Sequence, residues 1–146
     1  MKETLTALIQ KILSERFGKD SVISLATVCD GIPYVRNVNA YYEDGAFYVI
    51  TYALSNKMKH IQVNPVVAVS GEWFTGHGTG QNLGPLYKEE NVKMAEKLQT
   101  AFASWYYNGH NDYTDPNTCI LRICLTDGAL YSNGIRYDLD FKDEIQ

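Results

Sequence analysis

The sequence predicts a mainly β domain with flanking helices (α+β), its strands antiparallel and closed into a barrel or stacked as a sandwich. Three observations predict it. Six to eight short runs rich in β-branched and aromatic residues recur at regular spacing with turn signals between them. Asp30-Gly31, Asp44-Gly45 and Asn133-Gly134 are residue pairs that suit two-residue hairpins, which join antiparallel strands. Helical patterning is confined to about three segments, which places the helices outside the β layer.

The first helix is expected over Lys2 to Phe17. Leu5, Leu8, Ile9, Ile12, Leu13 and Phe17 share one stripe, and Gly18 is a natural stop. Ser21 to Val28 reads as a strand, Cys29-Asp30-Gly31 as a turn and Pro33 to Tyr42 as the returning strand. Alternation puts Tyr34, Arg36, Val38, Ala40 and Tyr42 on one face of it, and Val35, Asn37, Asn39 and Tyr41 on the other. Glu43-Asp44-Gly45 turns the chain into a third strand, Ala46 to Thr51, completing a meander. Ser55 reads as the N-cap of a short helix opened by Asn56 and Lys57 and forbidden to continue by Pro65.

Val66 to Phe74 reads as one buried strand. In Thr75 to Leu83, Gly76, Gly78 and Gly80 alternate and leave one face bare for a backbone, a flat ring or a neighbouring subunit. Glu89 to Tyr107 is the second long helix, with Val92, Ala95, Gln99, Phe102 and Tyr106 along one side. A polar loop, Asn108 to Asn117, follows. The last strands are Thr118 to Thr126, Ala129 to Ser132 after an Asp127-Gly128 turn, and Ile135 to Phe141, with a polar tail from Lys142 to Gln146.

A chain of 146 residues is expected to form one domain, 1–146, with a core that needs no metal or disulfide. The formal charge of −4 argues against a general nucleic-acid binder, which usually carries a basic face. Cys29, Cys119 and Cys124 form no Cys-x-x-Cys pair, and His60, His77 and His110 lack metal-ligand spacing, so no metal is expected. No apolar run approaches the roughly 18 residues of a membrane span, and no signal-peptide pattern opens the chain, so a reduced, cytoplasmic location is expected.

The chemistry concentrates where the third strand runs into the short helix. A helix N-terminus presents unpaired N–H groups and favours anions. Thr51, Ser55 and Lys57 add two hydroxyls and a cation there. Counting back from the Asp44-Gly45 turn places Arg36 opposite Thr51 or Tyr52, within a residue or two. The group suits a phosphate, because charge-assisted bonds are roughly twice as strong as neutral ones. Gly76-His77-Gly78-Thr79-Gly80 lacks the spacing of a nucleotide loop, and no Gly-x-Ser-x-Gly elbow is present, so no catalytic residue is assigned.

The ordered set Ile23-Ser24-Leu25-Ala26-Thr27, Pro33-x-x-Arg36-x-Val38, Phe47-Tyr48-x-x-Thr51, Ser55-x-Lys57 and Asn64-Pro65 resembles the pyridoxamine 5′-phosphate oxidase-related proteins. The likeness is clearest from Ser21 to Gly80. It implies an FMN-binding split barrel and a homodimer with two FMN molecules in clefts between subunits. It implies that Arg36 and Lys57 grip the FMN phosphate, helped by Thr51 and Ser55, and that Arg36, Asn37, Val38 and Asn39 run beside the flavin. Ile50 and Asn56 complete the implied cofactor-binding set, Asn56 standing where the vitamin-B6 oxidases commonly have a second cation. It also places Gly76 to Gly80 near the cleft and the dimer contact. The chain departs from the true oxidases in two places. Asn133-Gly134-Ile135-Arg136-Tyr137 replaces their Arg-Leu-His segment, and their substrate lysine falls near Tyr41. Vitamin-B6 oxidation is therefore not expected.

The leading expectation is an FMN-dependent reductase or oxidase of a small molecule, the flavin carrying the redox chemistry. The alternatives are a non-catalytic carrier or sensor of flavin, deazaflavin F420 or haem, and a barrel-shaped interaction module with no cofactor.

Overall fold

A computed structural model describes residues 2–141, with side chains from residue 6 onward. The side chain of Leu5 and the tail from Lys142 to Gln146 lie outside what is described. The strands are β1 (Ser21–Cys29), β2 (Ile32–Glu43), β3 (Ala46–Tyr52), β4 (Val66–Gly71), β5 (Phe74–Pro85), β6 (Thr118–Ser132) and β7 (Ile135–Asp140). The helices are α1 (Lys2–Phe17), α2 (Asn56–Val63) and α3 (Val92–Ala101), the last preceded by a 3-10 turn at Glu89–Asn91.

All pairings are antiparallel, in the order β3-β2-β1-β4-β5-β6-β7, and β3 also pairs with β6. Six strands therefore close into a barrel and β7 extends from β6. Asp30-Gly31, Asp44-Gly45 and Asn133-Gly134 form the two-residue turns expected of them, each residue taking the left-handed conformation that type I′ turns need.

A fourth hairpin was not legible. Gly71 pairs with Phe74, so Glu72-Trp73 divides the expected single strand Val66 to Phe74 into β4 and the start of β5. Trp73 takes φ 54, unusual for a bulky residue. Arg16 at the end of α1 holds this corner: its Nη1 donates to the carbonyls of Glu72 (3.2 Å) and Tyr131 (3.1 Å). Conversely, the expected turn at Asp127-Gly128 is absent. β6 runs unbroken through it, with a bulge where the register on β5 shifts between His77 and Gly78. Gly128 is required there because a Cβ would lie 2.9 Å from the ring of Phe74.

Alternation fills the barrel. Ile23 and Leu25, Ala40 and Tyr42, Phe47 and Val49, Val67 and Val69, and Cys119, Leu121 and Ile123 all point inward. Ile9, Leu13 and Phe17 of α1 and Met58 and Ile61 of α2 join the same core, while Leu8 of the expected stripe is exposed. The bare face of β5 admits a backbone, one of the three occupants the alternating glycines allowed. A Cβ on Gly76 or Gly78 would lie 2.5 or 2.6 Å from carbonyl oxygens of β6, and one on Gly80 would lie 2.9 Å from Ile61.

A second core lies outside the barrel, where α3 and the residues after it cover β3 and β6. It contains Leu86, Leu98, Phe102, Tyr106 and Ile120, with Ile50 and Tyr48 packed against it. The second long helix is shorter than expected, ending at Ala101. Phe102, at φ −97 and ψ 20, leaves helical geometry, and the chain continues in turns. The aromatic run after it packs by stacking: Phe102 on Trp105 (4.7 Å between centroids) and Tyr106 on Tyr113 (4.0 Å). Leu98 carries the inward face, whereas Val92 and Gln99 of the expected stripe are exposed.

Candidate anion site at the barrel split

β2 and β3 pair only near their shared turn, from Glu43↔Ala46 to Tyr41↔Tyr48. Beyond Tyr41 the strands part. β2 continues alone against β1, and β3 continues against β6. Continuing the hairpin register would set Arg36 against Ala53, close to the sequence count, but no ladder joins them. The parting leaves one edge of β2 open from Ile32 to Ala40, and α2 follows β3 at this end of the barrel.

The inward face of β2 carries Arg36 into the opening. Its guanidinium donates through Nη1 to Thr27 Oγ1 (2.8 Å) and, at longer range, to the carbonyls of Leu25 (3.3 Å) and Tyr34 (3.4 Å). None of these contacts uses Nε or Nη2. Burial lowers the pKa of Arg36. Lys57, on the first turn of α2, is half-buried. Burial first, and the charge of Arg36 second, lower its pKa. The two cations are therefore near enough to repel each other. The ion pairs among the described residues are Lys88–Glu90, Lys97–Glu43 and Arg136–Asp138, and Asp127 is hydrogen-bonded to His77, so neither Arg36 nor Lys57 has a carboxylate partner.

Ser55 occupies the N-cap position expected of it, in extended conformation, but makes no capping bond. Its Oγ is buried with no hydrogen-bond partner, a state that ordinarily costs about 1–3 kcal/mol. The first N–H groups of α2 have no partner within the helix. Thr51 is buried and lies opposite Cys119 on β6, whose thiol burial pushes up to about 11 while Lys57 draws it down. Arg36 and Lys57 are thus within electrostatic range of each other, with Ser55 two residues before Lys57 and Thr51 opposite Cys119, which also feels Lys57.

The other residues implied by the resemblance make different contacts. Asn37 and Asn39 lie on the outer face of β2. Asn37 accepts from Ser24, and Asn39 donates to Asp20, which also accepts from Trp105 Nε1. The side chain of Ile50 belongs to the α3 core, Val38 packs against the barrel core, and Asn56 is exposed at the helix start. Of Asn37 and Asn39, only backbone groups are left to serve the opening.

His60 is the participant the sequence reading missed. Its Nδ1 is 2.8 Å from Thr27 Oγ1, and its ring lies 4.9 Å from that of Tyr34. The available signal was its spacing, three residues after Lys57 and so on the same side of a helix. A cavity of about 700 Å³ lies elsewhere, against α3, lined by Lys19, Tyr41, Lys93, Glu96 and Lys97 among others. Neither Arg36 nor Lys57 lines it, or the cavities of about 430 and 390 Å³ beside α2. No group of three metal-ligating side chains occurs among the described residues, and none of their helices is long and apolar enough to cross a membrane.

No protein-family model and no curated protein matches the chain. Solved structures do. A protein from Clostridium acetobutylicum related to general stress protein 26, of the pyridoxinephosphate oxidase family, superposes with a TM-score of 0.65 at 15% identity, over 97% of each chain. The chain has the pyridoxamine 5′-phosphate oxidase-like split-barrel fold. An FAD-binding protein from Mesorhizobium loti has the same split barrel (TM-score 0.63, 19% identity, 84% of this chain and 91% of that one). So does a NimC/NimA family protein from Clostridium acetobutylicum (TM-score 0.66, 20% identity, 89% and 93%). The Arg36–Lys57 pair stands where β2 parts from β3.

Proposed function

We propose that the protein is an FMN-dependent oxidoreductase of a small organic molecule, working as a homodimer with a cofactor cleft at each side of the subunit contact. One observation carries the reading. Two partly buried cations near enough to repel each other have no carboxylate partner among the described residues, and one of them, Lys57, follows a buried, unpartnered hydroxyl at a helix N-terminus. Holding like charges together out of water is unfavourable unless an anion joins them. A phosphate monoester supplies the missing charge and the missing acceptors, and the donor set fits it.

In this reading Arg36 and Lys57 bind the phosphate, and Ser55 Oγ and the first N–H groups of α2 donate to its oxygens. Thr51 bounds the site from β3. The open edge of β2 offers the backbone of Arg36 to Asn39 to the polar rim of the flavin. When bound, FMN supplies hydride-transfer chemistry. The protein's part is to bind it, orient it and shield one side of the ring. The known FAD-binding protein among the structural neighbours supports a flavin over other phosphorylated ligands.

The dimer has a physical basis in the outer face of β2, β1, β4 and β5. α3 covers the other side of the barrel, but this face carries exposed Val22, Val35 and Val66 beside small residues, Ser24, Ala26, Ala68 and Ser70. A patch of exposed valines beside small residues suits a second copy related by a two-fold axis.

The reading is tested by loading the protein with FMN and measuring oxidation of reduced nicotinamide cofactor with an artificial acceptor, alongside light scattering for mass. A dimer that turns over supports it. Tight flavin binding with no turnover on any donor assigns the carrier or sensor role instead.

A further inference from the structure

Thr27 is fully buried, yet it is hydrogen-bonded on two sides by groups of the split. Arg36 Nη1 lies 2.8 Å from its Oγ1, and His60 Nδ1 also lies 2.8 Å away. A guanidinium can only donate, so Oγ1 accepts from Arg36. Oγ1 keeps its own hydrogen and a second lone pair, so it bonds His60 Nδ1 in either tautomer of the ring. The chain of bonds runs Arg36 to Thr27 to His60, from β2 through β1 to α2. Tyr34, beside the His60 ring, limits how that ring can turn.

An arginine side chain has four rotatable bonds before its planar head, and fixing them costs up to about 2 kcal/mol of rotamer freedom. Here the bond to Thr27 is the shortest that Arg36 makes. It engages one terminal nitrogen and leaves the Nε–Nη2 edge, the edge that binds a phosphate in bidentate fashion, outside these contacts.

We propose that Thr27, braced by His60, is a positioning residue that holds the Arg36 guanidinium with its Nε–Nη2 edge turned toward the flavin phosphate. This rests on the reading above that Arg36 and Lys57 bind a phosphate. It adds two residues that would touch no part of the phosphate themselves and that set how well the site distinguishes a phosphorylated flavin from an unphosphorylated one.

The test compares FMN with riboflavin, which has the same ring and ribityl chain but no phosphate, by fluorescence titration of the full chain. Thr27→Val keeps the shape and removes the hydroxyl, and Thr27→Ser keeps the hydroxyl. Losing an orienting bond to a charged group should weaken FMN binding roughly five- to tenfold. Riboflavin affinity should stay as in the wild type, and Thr27→Ser should restore the preference for FMN. A merely structural role would move both ligands together. An unchanged ratio in Thr27→Val overturns the proposal. Should that variant fail to fold, His60→Leu decides: a lowered ratio supports the bracing, and a wild-type ratio overturns it. A wild-type protein that binds both ligands equally removes the phosphate site itself, and is thereby told apart from a failure of Thr27 alone.

Discussion

Replacing Lys57 with methionine is expected to lower FMN affinity ten- to a hundredfold without destabilising the cofactor-free protein. The two halves of that result come from the same feature. A hydrogen bond to a charged group is worth about 1.5–3 kcal/mol, which sets the loss in affinity. In the absence of an anion the same ammonium is a liability, because it is half out of water and beside Arg36. Methionine keeps the apolar stem and removes the charge. The sign with pH follows. The folded-state pKa of Lys57 lies below its unfolded value of 10.5. Between the two, the unfolded chain binds more protons, so stability of the free protein rises with pH through that window. Below the window the full cost is present, so the advantage of Lys57→Met should be largest at neutral pH and vanish toward pH 10.5. Thermal melts of both proteins across pH, with and without FMN, check it. A variant that loses stability at neutral pH and keeps its affinity would show that Lys57 has a structural partner instead.

The second large effect concerns the fold. Phe47→Ala is expected to cost about 3–5 kcal/mol, a large part of the roughly 5–15 kcal/mol that holds a domain together. Phe47 is fully buried, and three rings meet its edge or face: Phe17 at 5.5 Å, Tyr42 at 5.6 Å and Phe74 at 6.3 Å between centroids. Phe17 belongs to α1 and Phe74 to β5, so one side chain ties the first helix to two parts of the barrel. Denaturant unfolding should show the loss as a lower midpoint with unchanged slope. Tyr107→Ala, at a residue 74% exposed, should stay within about 0.5 kcal/mol of the wild type. A comparable loss at both positions would mean that the aromatic cluster is not what anchors α1.

The sequence made the meander legible because its turns are chemically explicit. Asp-Gly and Asn-Gly pairs accept positive φ at little cost, and the strands between them alternate. Glu72-Trp73 carries no such signal. Its turn is imposed from outside, by Arg16 reaching over from α1. Asp127-Gly128 carries the signal without the turn, because Gly128 is needed for contact with Phe74 and not for its freedom of φ. The end of α3 was hidden for a similar reason. Phe102, Trp105 and Tyr106 fit a helical stripe, but they lie in turns, with Phe102 stacked on Trp105 and Tyr106 on Tyr113. At the candidate site, Arg36, Thr51, Ser55 and Lys57 could be assembled from register counting and helix-start chemistry. Thr27 and His60 could not. One looks like a strand residue and the other like a solitary histidine, and only the pairing of β1 with β2, together with the seat of α2, sets them beside Arg36.

The most direct measurement of the central claim is an absorption spectrum of the protein as purified, with mass identification of whatever is released on denaturation. Flavin bands and the mass of FMN are the result expected if the two cations at the split hold a flavin phosphate. A colourless protein that stays colourless after incubation with FMN, or a Soret band with released haem, would contradict it.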